Sequence, residues 1–65
     1  MSKRTLLGVY IARRLVRGDA HAARVLFLTA PKPVSWTVAE ARAIAGACRY
    51  AREQWGAPVS FDQFL

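Results

Sequence analysis

The sequence predicts an all-α fold, a small three-helix domain that spans residues 1–65. Of its 65 residues, 54% are hydrophobic, a composition too apolar for a disordered chain. A chain of this length is too short to form a second domain. A Gly18-Asp19 pair separates two apolar segments, and a helix-capping pattern at Thr37 precedes an alanine-rich stretch. These features divide the chain into three helical segments.

The first segment, residues 5–17, carries β-branched side chains and Gly8, which weakens a helix by about 1 kcal/mol relative to alanine. In a strand, Arg13 and Arg17 would point to one face and Arg14 to the other, so both faces would be charged. In a helix the three arginines share an arc of about 100°, and the apolar residues occupy the rest. The periodicity therefore predicts a helix.

The junction between the first two segments fits a helix end followed by a helix start. Gly18 suits the left-handed position after a helix, and Asp19 is a good N-cap for a second helix at Ala20–Thr29. The stretch from Leu15 to Leu26 is similar to the helix–Gly-Asp–helix junction near the start of sigma-factor-like helical domains. That resemblance implies two helices here.

An α+β alternative stays open at this point, because short apolar runs do not distinguish a buried strand from a helix. Residues 20–29 would pair with residues 5–16 as a β-hairpin that closes at Gly18-Asp19 and packs on one long C-terminal helix. If residues 20–29 are helical, their nearly continuous apolar surface predicts a central helix covered on both sides.

The third helix is predicted from Val38 to Trp55. The prolines in Ala30-Pro31-Lys32-Pro33 prevent a continuous helix before it, and Thr37 and Glu40 form a capping box. Gly56 follows the last helical residue. After Pro58, a second capping pattern at 60–63 predicts one helical turn that tucks Phe61 and Phe64 against the core.

The predicted core combines the apolar faces of the three helices, with Trp36 expected to pack on it as well. A domain of about 60 residues buries only roughly 60% of its unfolded surface, so self-association into a homo-oligomer is an open alternative. The core residues are predicted to be Leu7, Ile11, Leu15, Val25, Leu26, Leu28, Ile44, Cys48 and Trp55.

Catalytic and cofactor chemistry finds little support in the sequence. Cys48 and His21 are the only cysteine and histidine, so an intrachain disulfide is excluded and a metal site lacks ligands. The four glycines lie far apart and form no phosphate-binding loop. We therefore expect no enzyme activity, no catalytic residue, no metal and no cofactor.

The sequence also predicts a cytoplasmic location. No apolar stretch approaches the roughly 20 residues that span a bilayer, so no transmembrane segment is expected. The apolar run from Leu6 to Ala12 ends at Arg13 without a cleavage site, which argues against a signal peptide. The absence of disulfides is typical of proteins from reducing compartments.

Positive charge is concentrated in the first third of the chain. The formal net charge is +6, and residues 1–24 hold six Lys and Arg against Asp19 alone. This asymmetry predicts an anionic partner. The primary candidate surface comprises Tyr10, Arg13, Arg14, Arg17 and Arg24, and a secondary candidate surface comprises Arg42, Arg49 and Tyr50.

The functional hypothesis is a non-enzymatic basic binding module. Small basic chains without catalytic residues are common among phage and mobile-element accessory proteins, many of which inhibit or redirect a host protein or nucleoprotein complex. The expected partner is an acidic protein surface or a nucleoprotein complex. The alternative is a helical nucleic-acid-binding module that contacts phosphates through its arginine-rich helix.

Overall fold

A computed structural model describes residues 3–31 and 35–65, with side chains from residue 7 onward. It contains α1 (Lys3–Val16), α2 (Ala20–Thr29) and α3 (Val38–Trp55), followed by a one-turn 3₁₀ helix, Phe61–Phe64. The all-α class and the bounds of α2 and α3 agree with the prediction. The β-hairpin alternative is not supported, because both proposed strands are helical. The Lys32-Pro33 part of the predicted break lies outside the described residues.

The α1–α2 junction depends on glycine for two reasons. Gly18 has a φ of +84°, which is strained for residues with a side chain. The Trp55 ring lies over Gly18, so that a Cβ there would be 2.8 Å from the indole Cδ2. Asp19 caps α2 as predicted, since its Oδ1 accepts a hydrogen bond from the Ala22 N–H at 3.1 Å.

Helices α1 and α3 run in the same direction and touch closely near their N-terminal halves. Glu40, the capping-box residue of α3, is 3% exposed. Its Oε1 accepts from the Thr37 N–H and hydroxyl at 3.2 and 3.0 Å, and its Oε2 accepts from the Gly8 N–H at 3.3 Å. The predicted cap therefore exists, and its carboxylate also ties α3 to α1.

The observed core is centred on α1, which packs extensively against α3 and also against α2. Of the predicted core residues, Ile11, Leu15, Ile44 and Cys48 are buried. Leu7 and Leu26 are partly buried and pack against the core. The other buried hydrophobic residues are Ala23, Phe27, Ala47, Ala51, Val59 and Phe64.

The prediction was wrong for Val25, Leu28 and Trp55, whose exposed fractions are 43%, 60% and 58%. Helix α2 is not central: it lies beside α1 and contributes only Ala23 and Phe27 to the buried core, so Val25 and Leu28 face outward. Trp55 lies at the end of α3, where its Nε1–H donates to the Val16 carbonyl at 3.0 Å. That bond satisfies a carbonyl at the C-terminus of α1.

The C-terminal segment completes the core with an aromatic cluster. Phe64 is fully buried, and its ring packs edge-to-face on Phe27 at 5.7 Å. The Trp36 ring also belongs to the cluster, 6.0 Å from the Phe27 ring, and its indole N–H donates to the Phe64 carbonyl. Arg52 donates to the Val59 carbonyl at 2.8 Å. The predicted terminal turn is confirmed, and the tail is part of the fold.

Candidate partner-binding surface

Two arginines in the last turn of α1, Arg13 and Arg14, and Arg17 directly after the helix are exposed and form no ion pair within the described part of the chain. Tyr10, which is 47% exposed, lies within the same arc of the helix. Three guanidinium groups and one phenol therefore remain available to a partner.

Arg24, the fifth residue of the primary candidate surface, lies on α2 rather than α1. Its side chain is half-buried, and its Nε is buried without a hydrogen-bond partner among the described residues. The primary surface is thus divided between two helices: Tyr10, Arg13 and Arg14 lie on α1, Arg17 lies in the turn directly after it, and Arg24 lies on α2.

The secondary candidate surface lies on α3 and is partly neutralised. Arg42, Arg49 and Tyr50 are all exposed. The Arg49 Nε donates to Glu53 Oε1 at 3.1 Å, one turn further along the helix. Exposed pairs of this kind contribute little stability, but the neighbouring carboxylate lowers the local positive potential.

An apolar groove lies between α1 and α3, next to the arginines of α1. Its lining residues are Val9, Ala12, Val16 and Ala43, with Arg13 and Arg17 at its edge, and its volume is about 290 Å³. This groove was not predicted from the sequence. Its signal was a second apolar stripe with i, i+3, i+7 spacing at Val9, Ala12 and Val16, about 100° round the helix from Ile11 and Leu15.

None of the acidic residues that the structure describes forms an ion pair with Arg13, Arg14 or Arg17. Glu40 is buried in the α1–α3 contact, Asp19 is used as the cap of α2, and Glu53 is paired with Arg49. Asp62 lies in the 3₁₀ helix near the C-terminus. The charges of Arg13, Arg14 and Arg17 therefore add to a local positive potential, which Asp19, two residues after Arg17, offsets only in part.

The single cysteine is a core residue. Cys48 is 1% exposed, and burial raises the pKa of its thiol, an effect partly opposed by the Arg52 charge. A buried, protonated thiol is a weak nucleophile. The described residues hold no cluster of His, Cys, Asp or Glu that could bind a metal ion. None of the described helices is both long and apolar enough to cross a bilayer.

Comparison with known proteins adds no family assignment. No protein-family model, curated protein or solved structure matches this chain. Function is therefore inferred from the exposed residues Arg13, Arg14 and Arg17 and from the groove beside them.

Proposed function

We propose that this protein is a non-enzymatic basic module that binds an acidic surface on a larger protein or nucleoprotein complex in the cytoplasm. Binding would inhibit or redirect that partner, as phage and mobile-element accessory proteins often do. The observation that carries the proposal is the set of exposed cations without an ion-pair partner among the described residues, Arg13 and Arg14 on α1 and Arg17 directly after it, with Tyr10 on the same side of the helix.

One property of this surface favours a protein partner. Arginine and tyrosine are enriched among the residues that dominate binding energy at protein interfaces, whereas a guanidinium forms two parallel hydrogen bonds with a carboxylate or a phosphate alike. Helix α1 is also the best-packed helix, held by Ile11 and Leu15, which are fully buried. The backbone that carries Arg13 and Arg14 is therefore held in place, so the entropy lost on binding comes from the arginine side chains rather than from the main chain.

Charge-reversal variants test the proposal directly. Arg13→Glu/Arg17→Glu and the control Arg42→Glu/Arg49→Glu make the same change in net charge on different helices. Each tagged variant is used to capture partners from native host lysate, with and without nuclease, and the affinity of the purified partner is then measured. We expect a nuclease-resistant partner whose affinity falls strongly with the α1 variant and little with the α3 control.

The outcomes separate the two functional classes. Recovery that requires nucleic acid, with a steep dependence of log affinity on log salt, supports phosphate contacts through the arginine-rich helix instead. In that case the same reversal weakens binding to DNA or RNA of any sequence. A folded Arg13→Glu/Arg17→Glu variant that retains full affinity for the partner contradicts the role of α1 in both classes.

A further inference from the structure

We propose that the groove between α1 and α3 is a docking site for one amphipathic, acidic α-helix of the partner protein. This inference deepens the proposed function and rests on it. The groove-lining side chains Val9 and Val16 are 36% and 43% exposed. They differ from other exposed apolar residues in lying together in a groove that is edged by arginines. A partner that covers them removes apolar surface from water.

The shape of the groove suits a helix. Ala12 of α1 and Ala43 of α3 contribute small side chains to the lining of the groove, which lets another helix approach closely. Val9 and Val16 are seven residues apart, so the groove extends about 10 Å along α1. This length matches apolar residues at positions i, i+3 or i+4, and i+7 of a docked helix.

The chemistry of the groove disfavours an extended peptide. Its lining is almost entirely apolar and presents no row of backbone donors or acceptors, because α1 and α3 satisfy their own main-chain groups. An extended peptide would leave its backbone N–H and C=O groups unpaired against this surface, which is costly. A helix brings its backbone hydrogen bonds with it.

The rim residues define the charge of the partner. Arg13 and Arg17 are four residues apart, so their positions along the α1 axis differ by about 6 Å. Carboxylates at positions i and i+4 of a docked helix have the same spacing. A second copy of this chain is a poor occupant, because a symmetric contact through the same face would bring the two pairs of arginines together.

A synthetic peptide of about 18 residues serves as the probe. It carries leucines at the i, i+3/i+4, i+7 spacing with flanking glutamates, and its matched control replaces every glutamate by lysine. Binding is measured by fluorescence anisotropy, and the binding face by amide chemical shifts of the labelled protein. We expect saturable binding of the acidic peptide with shifts at Val9, Val16 and Ala43, and at least about tenfold weaker binding of the basic control.

One variant tests the contribution of the groove to binding separately from that of the arginines. Ala43→Gln places a larger neutral side chain in the groove, while Ala45→Gln makes the same change about 200° further round α3. Both positions are exposed, so both variants should fold. We expect Ala43→Gln to weaken binding of the acidic peptide and of the captured partner at least about tenfold, with Ala45→Gln near wild type.

The results distinguish this inference from the proposed function. If the partner's affinity depends on Arg13 and Arg17 but is unchanged by Ala43→Gln, the groove is not the docking site, and the role proposed for the primary candidate surface is retained. If neither Arg13→Glu/Arg17→Glu nor Ala43→Gln weakens binding of the partner, both the docking site and the proposed function are contradicted. Concentration-dependent self-association that Ala43→Gln abolishes would assign the groove to a second copy of the chain, and would also overturn the inference.

Discussion

Gly8 offers the sharpest test of the packing between α1 and α3. By helix propensity alone, Gly8→Ala should stabilise α1 by about 1 kcal/mol. In the folded protein, however, the added Cβ would lie 2.7 Å from Glu40 Cγ and 2.8 Å from both its Cβ and its Oε2. The contact includes the base of a buried side chain, which cannot move aside easily.

The expected loss of stability combines two destabilising effects and subtracts the gain in helix propensity. Overpacking of this kind typically costs about 1 to 3 kcal/mol. Displacing the carboxylate also weakens its hydrogen bond from the Gly8 N–H, and an unsatisfied buried polar group costs about 1 to 3 kcal/mol. After subtraction of the propensity gain, Gly8→Ala should lower the free energy of unfolding by roughly 1 to 5 kcal/mol.

Gly46→Ala is the matched control, because it makes the same change in the interior of α3. A Cβ at Gly46 meets nothing within 4 Å, so this variant should be more stable than wild type by about 0.5 to 1 kcal/mol. Both free energies are measured by urea denaturation followed by far-UV circular dichroism. If Gly8→Ala stabilises the protein as Gly46→Ala does, the close contact with Glu40 is refuted.

Three other perturbations test the cap, the core and the buried thiol. Thr37→Ala should cost about 1 to 2 kcal/mol in urea denaturation, because it removes the acceptor for the Glu40 N–H; an unchanged midpoint would contradict the cap. Ile44→Ala should cost about 2 to 5 kcal/mol, since Ile44 is fully buried; an unchanged melting temperature would show that it is exposed. Burial raises the pKa of Cys48, so the unfolded chain loses the thiol proton first as pH rises. Stability should therefore decline above the ordinary thiol pKa in wild type but not in Cys48→Ala, and parallel pH profiles would contradict this.

The sequence predicted the helices well because their ends carry local signals. Gly18, Asp19, Thr37 and Gly56 act through their own backbone conformation or through hydrogen bonds to residues nearby in the chain. Such signals are visible without knowledge of the tertiary structure. Local periodicity also predicted that Arg13, Arg14 and Arg17 would lie on one exposed side of the first helical segment.

The tertiary arrangement was less predictable because periodicity does not say which helix is central. Helix α2 is the most apolar segment of the three, yet α1 occupies the centre, since it alone packs extensively on both other helices. Val25 and Leu28 were misplaced for that reason. The groove requires the relative placement of Val16 and Ala43 on two different helices, and nothing in either helix alone encodes that distance.

The two polar contacts between α1 and α3 have a consequence for recognition. The Gly8–Glu40 bond holds the helices at one end, and the bond from Trp55 to the Val16 carbonyl holds them at the other. Between these two fixed points the spacing of the helices is set before any ligand arrives. A ligand bound there would meet a groove of constant width. Selectivity would therefore depend on the size of the ligand side chains that enter the groove, rather than on movement of α1 towards α3.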